Sequence, residues 1–135
     1  PLAAELSRFE AVLPDGRGGR RALVRGGAVA VDGTGENGRG RVRGTSAVLY
    51  RDGVPALELN APVVEGDAKR GVVVARGGVV ARTLGGVQTT LLRSDTMTWH
   101  GDADRLEGRG DVLLTHGDAA RVPGDAFLAD TRLRR

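Results

Sequence analysis

The 135-residue chain contains no cysteine, which excludes a disulfide framework, a thiolate metal site and a Cys nucleophile. Aromatics are nearly as scarce, at one Trp, one Tyr and two Phe, so any core has to be assembled from Val, Leu and Ala. Lysine occurs once, at Lys69, and every other basic residue is Arg. With 20 basic residues against 17 acidic ones the net charge is only +3, too small a surplus to point by itself to nucleic acid or membrane headgroups. No apolar run approaches the roughly 18 residues of a bilayer-spanning helix. The first residues also lack the basic-then-apolar order of a secretory signal. Because the chain opens on Pro1 rather than Met, the expectation is that an N-terminal anchor or signal preceded it.

What the chain has in plenty is glycine, 22 residues of 135, against an average near 7%. These glycines show no three-residue period, which excludes collagen, and they fall between short apolar runs as the turns of a β protein do. Pro1 to Leu13 reads as a short helix or extended segment, with Leu6, Phe9 and Leu13 spaced by three and four and Pro14 ending it. Residues 1–21 are therefore expected to be a linker or short helix and turn, and residues 22–135 a β domain. Candidate strands are Ala22 to Val24, Ala28 to Val31, Arg41 to Gly44, Ser46 to Tyr50, Ala56 to Leu59, Val63 to Glu65 and Gly71 to Ala75. Beyond them come Val79 to Thr83, Val87 to Leu92, Thr96 to Trp99, Arg105 to Gly108, Val112 to Thr115, Ala119 to Val122 and Ala126 to Leu133. Short β-rich runs separated by turn residues every 8 to 12 positions are the mark of a sandwich or barrel.

A repeat organises these runs. Sliding the chain by 33 positions lays Leu59 on Leu92, Ala61 on Ser94, Val64 on Met97, Val73 on Leu106, Ala75 on Gly108, Gly77 on Gly110 and Val79 on Val112. A partial third copy begins at Val122-Pro123-Gly124-Asp125, with Phe127 in the place of Met97. Within the second copy Leu106, Gly108, Gly110, Val112 and Leu114 share one face of a strand, and Arg105, Glu107, Arg109 and Asp111 the other. The first face is the buried one. A bulge is expected after Pro62 and after Asp95, where inward parity is open.

The run Ser46-Ala47-Val48-Leu49-Tyr50-Arg51-Asp52-Gly53-Val54-Pro55-Ala56-Leu57, then Leu59-Asn60-Ala61-Pro62 and Gly77-Gly78-Val79, resembles the OstA-like family of lipopolysaccharide-export proteins. The match continues through Leu92-Arg93-Ser94-Asp95-Thr96-Met97-Thr98-Trp99, Leu106-Glu107-Gly108-Arg109-Gly110-Asp111-Val112 and Gly124-Asp125. The order and spacing are closest to its inner-membrane-tethered periplasmic member. Departures are Ala61-Pro62, where the family often has Ala-Asp, and Gly78 and Asp111, where it often has Asn. The resemblance implies an open, twisted β-jelly roll of two facing antiparallel sheets with a hydrophobic groove between them, no catalytic activity and no cofactor. It implies periplasmic location, tethering by an N-terminal helix, and three partners: lipopolysaccharide, the inner-membrane lipopolysaccharide ABC transporter, and a periplasmic bridge protein joined edge to edge.

Small inward side chains leave space that acyl chains can fill, since each buried methylene gains about 0.8 kcal/mol. The expected groove residues are Leu59, Ala61, Val64, Val73, Ala75, Val79, Leu92, Met97, Trp99, Leu106, Val112, Leu114 and Phe127. Each of them is also compatible with plain core, and Trp99 and Met97 are the stronger candidates for lipid contact, since a bulky and a flexible side chain stand out among small ones. Ala126, Leu128, Asp130 and Leu133 are expected to form the partner edge, and Arg93 and Arg121 to stand near the groove mouth, where they can meet phosphates. The alternative is a β-jelly-roll or β-solenoid protein-interaction domain with a packed interior and no lipid.

Other motifs carry less. Gly33 to Gly38 fits the dinucleotide-binding pattern in letters, but no helix follows to receive phosphates, and a calcium loop fails at Arg43. His100, Asp102 and Asp104 sit in a turn that the repeat does not reproduce, so they read as turn chemistry and not a metal site. His116 lacks an evident partner, and no serine lies in a nucleophile elbow. The Arg-Gly-Gly triplets at Arg17, Arg25 and Arg76 have no neighbouring aromatics, so no nucleic-acid partner is expected.

Overall fold

The computed structural model describes residues 3–15, 17–32, 41–117 and 120–133. Residues 33–38, which carry the dinucleotide-like pattern, and the pair Arg134 and Arg135 lie outside the described residues, as do Leu6 and Phe9 as side chains. The strands are β1 (Ala3–Pro14), β2 (Arg20–Asp32), β3 (Arg41–Arg51), β4 (Val54–Asp67), β5 (Val72–Thr83), β6 (Thr90–His100), β7 (Arg105–His116) and β8 (Ala120–Ala129). All pair antiparallel in one open sheet of order β1 to β8, so each strand lies beside its neighbours in sequence.

Two expectations change here. The N-terminal segment is not a helix: β1 pairs with β2 from Ala3 to Pro14. The apolar residues that fit a helical spacing also fit a strand, and the second reading buries Leu13 and packs Ala11 against the core. Proline is tolerated at Pro14 because it ends the strand on an edge. The fourteen short strands also merge two by two into β2 to β8. The breaks between them are irregularities inside continuous strands, with register shifts at Arg25/Ala30, Gly44/Ser46, Arg76/Val79 and Arg109/Val112, and with the bulges expected near Pro62 and Asp95 found at Asn60/Val63 and Arg93/Thr96. Extra residues of this kind bend a strand and sharpen its twist.

Lying opposite one another from strand to strand, these bulges form a crease across the sheet. The two facing sheets expected from the sequence are the two halves of this single sheet. A Cβ on Gly66 of β4, beyond the crease, would stand 3.0 Å from a Leu13 methyl and 3.1 Å from a Val24 methyl, both before it. Leu13 and Gly66 belong to strands three places apart, about 14 Å in a flat sheet. Only a folded sheet brings them together.

The 33-residue repeat is most exact at the crease. In the first copy the Pro62 ring lies over Gly77, 3.2 Å from where a Cβ would be, and in the second Asp95 lies over Gly110 in the equivalent place. Gly77 and Gly110 both adopt positive φ, 89° and 84°. Ser94, buried at the bend, turns its hydroxyl onto the Thr96 carbonyl at 2.8 Å, satisfying a group that the broken ladder leaves over.

Inward residues then run across the sheet in rungs. On one side of the crease Ala11, Val24, Ala47, Leu59, Ala81, Leu92, Leu114 and Val122 are successive cross-strand partners. On the other side the rungs are Gly44, Val64, Ala75, Met97, Gly108 and Phe127, and Val42, Gly66, Val73, Trp99, Leu106 and Ala129. The Met97–Gly108–Phe127 rung matches the partial third copy seen in the sequence.

Gly110→Ala is expected to cost about 2–4 kcal/mol in urea unfolding, because left-handed strain adds to collision with Asp95. Gly53→Ala, at φ 78° with open space around it, should cost only about 1 kcal/mol. Equal losses would show that the crease does not depend on that contact.

Candidate functional site

The expected groove residues all point inward, but they do not line one trough. Leu59, Val64, Val73, Ala75, Val79, Met97, Trp99 and Leu106 are closed core, each no more than 1% exposed. Small residues oppose large ones and close the gap that composition suggested: Met97 lies between Ala75 and Gly108, and the Phe127 ring occupies the space a Gly108 side chain would take. Ala61 is half-buried at the crease.

The remaining four, Leu92, Val112, Leu114 and Phe127, line an apolar cavity of about 740 Å³. It lies between the folded halves at the β8 end of the sheet. Val122, Leu128, Ala129 and Leu133 continue its wall. Exposure along one inward rung locates the opening: Leu59 and Ala81 are sealed, Leu92 is 3% exposed, and Val122 on the last strand is 52% exposed. The interior opens as the sheet approaches its edge.

Opposite the crease, the ends of the two halves are clasped. Asp104, in the β6–β7 turn, accepts a hydrogen bond from Trp99 Nε1 at 3.1 Å, from Arg51 Nη1 at 2.8 Å, and from the amide and hydroxyl of Thr131 at 3.3 and 3.1 Å. Arg51 closes β3 on the other half, and it also reaches Asp130 at 3.2 Å. In the same turn Asp102 pairs with Arg21 of β2 at 2.8 Å. The Arg21 side chain passes over Gly71 and Gly101, two turn positions where a Cβ would collide with it. A polar cleft of about 700 Å³ lies along this clasp, lined by Arg17, Arg20, Arg21, Tyr50, Arg51 and Asp104 among others.

Asp15 stands at the rim of that cleft, and its carboxylate accepts the amides of Arg17 and Gly19 at 2.7 and 3.0 Å. These bonds, the Arg17 amide foremost, hold its carboxyl below the ordinary aspartate value. A depressed pKa means that this support for the β1–β2 turn is present above the carboxylate range and is lost as pH falls through the lowered value.

Several assignments move. Arg93 and Arg121 lie on outward rungs, paired with Val80 and Leu113 and with Thr115 respectively, so they face away from the interior. Of the expected edge residues, Ala126 and Leu128 belong to β8, the free edge, whereas Asp130 and Leu133 lie beyond it in a turn that folds back over the interior. The strand stops at Ala129 because Asp130 is drawn to Arg51 and its carbonyl accepts the Leu133 amide at 2.9 Å. His116 does have a partner, Thr90 Oγ1 at 2.6 Å from Nδ1. Among the described residues no group of His, Asp or Glu has the arrangement of a metal site, and no helix is long and apolar enough to cross a membrane.

Sequence reading missed the clasp. Asp104 reads as a turn residue, and Arg51 stands out in the sequence only as one member of the run Ser46 to Leu57. One signal was available: a lone Trp in a small-residue core needs an acceptor for its N–H, and Asp104 follows Trp99 across a single turn.

No protein-family model matches the chain, and no curated protein matches it in sequence.

Asp104→Ala strands the Trp99 N–H and the Thr131 hydroxyl and should cost about 2–4 kcal/mol in denaturant unfolding. Asp102→Ala removes a carboxylate that is 80% exposed and should cost less than about 1 kcal/mol. The reverse order would place the clasp at Arg21 instead.

Proposed function

We propose that this domain is a periplasmic lipid-transfer module that takes acyl chains of lipopolysaccharide between the folded halves of its sheet. In this reading it receives lipid from an inner-membrane ABC transporter and passes it to a bridge protein joined along the β8 edge, as in the OstA-like family that its sequence resembles. The tethered member, LptC, is the nearer comparison in motif order, and the soluble bridge, LptA, the alternative. The transfer needs no catalytic residue and no cofactor, because its driving force is burial of hydrocarbon.

One observation carries the reading: the inward, apolar face of the last strand is left partly uncovered beside a cavity of about 740 Å³, with Val122 52% exposed. That volume falls within the range of small-molecule sites, roughly 300–1,000 Å³. Six methylenes placed there would supply about 5 kcal/mol, while the open side leaves sugars and phosphates in water. The unpaired β8 edge beside the cavity offers a backbone ladder to a neighbouring sheet, so tail and strand could pass the same border. The sealed rungs from β2 to β6 favour the second reading, a protein-interaction domain with a solid interior.

The two readings separate by photo-crosslinking in a lipopolysaccharide-containing membrane extract. A photoactivatable residue at Leu114 or Phe127 is expected to capture lipopolysaccharide several times more strongly than one at Glu107 on the outer face. Equal labelling at the three positions, or none, would remove the lipid reading in favour of the solid domain.

A further inference from the structure

We infer that residues 130–133, the turn after β8, form a lid over the end of the apolar cavity that borders Asp104, to which they are latched. The lid is built differently from the rest of the cavity wall. The rest of the wall is paired sheet and the β6–β7 turn, whereas the turn 130–133 has no ladder of its own and is held by polar bonds that include those to Asp104 and Arg51. Thr131 is fully buried and gives both its amide and its hydroxyl to Asp104, and Asp130 takes Arg51 from the opposite half. The Asp130 carboxylate and carbonyl in turn accept the amides of Arg132 and Leu133, at 2.8 and 2.9 Å, which tightens the turn.

The latch delivers Leu133 into the cavity wall, packed against the core. Leu133 adopts φ 58°, a left-handed value that a branched side chain keeps only where its surroundings impose it. Releasing the latch therefore relieves backbone strain and withdraws an apolar plug in one movement. Sheet pairing is untouched.

Asp104 also stands where two spaces meet, since it borders both the apolar cavity and the arginine-lined polar cleft. With the latch open, the two spaces join into a passage with an apolar floor and a cationic mouth. That shape suits a molecule with hydrocarbon at one end and an anionic group at the other. The purpose of the lid rests on the acyl-chain reading of the cavity, but its movement does not, and it can be tested without lipid.

The native chain has no cysteine, so a single introduced thiol reports its own surroundings. In the otherwise intact chain, Leu92→Cys places a thiol on the cavity wall, and Val24→Cys places one in sealed core on a distant strand. Alkylation of each by N-ethylmaleimide is compared with and without Asp130→Ala/Thr131→Val. The lid predicts labelling at position 92 at least roughly ten-fold faster in the unlatched protein, as expected for losing hydrogen bonds to a charged acceptor, with position 24 unchanged. Unchanged labelling at both positions overturns the lid, and a parallel rise at both shows general loosening and overturns it too. Leu133→Ala, which keeps the latch and removes the plug, should also speed labelling at position 92, and its failure to do so overturns the assignment of the plug. Faster labelling without lipopolysaccharide capture would leave the lid standing and remove the lipid reading alone.

Discussion

An eight-stranded sheet with one apolar face has to hide that face, and with no helix among the described residues to lay over it, the sheet can only fold onto itself. Everything else in the molecule follows from this constraint. Bulges in strand after strand supply the fold line, and the left-handed positions at Gly77 and Gly110 with Pro62 and Asp95 above them make it sharp. At the opposite side the two halves approach as rows of strand ends and turns, which carry charge, and they are joined there by Arg21 and Arg51 reaching Asp102 and Asp104. Of these, Asp104 matters most, because it neutralises Arg51 and satisfies the only tryptophan and a buried threonine at once.

The same constraint explains what the sequence showed and what it hid. The alternation of Leu106, Gly108, Val112 and Leu114 survives in β7, since period two is dictated by the pleat itself. The 33-residue repeat returns in space as bends with equivalent contacts, Pro62 over Gly77 and Asp95 over Gly110. Pro62 and Asp95 announce their bulges, but the other mid-strand turn residues were misleading, because such residues mark a bulge as readily as a reversal, and only pairing with the neighbouring strand distinguishes the two. The first strand was equally ambiguous, since Leu13 satisfies both periods until Ala22 is placed opposite it. Long-range polar contacts were out of reach: Arg51, Asp104 and Asp130 are brought together by closure of the sheet, which no local pattern encodes.

A shortage of aromatics does not by itself leave an empty interior. Where the rungs alternate large with small, as at Ala75, Met97 and Gly108, a sheet pair of modest side chains closes as tightly as a core of larger ones. The large apolar space appears where that alternation runs out, near β8, with Val122 facing inward and half exposed. The cavity is thus a property of the sheet's end and not of its composition, which is why residue types alone placed the site too broadly.

The neighbour-to-neighbour order of the strands has a consequence for how such a molecule can change size. Each hairpin brings its own bend and contributes its own inward rungs, with hydrogen-bonded neighbours that are adjacent in the chain. Duplicating or deleting one hairpin in mid-sheet would lengthen or shorten the folded trough without altering the logic at either border, much as a solenoid gains or loses turns. Length is therefore a variable that gene duplication can adjust by whole hairpins, leaving the terminal strands and their attachments intact.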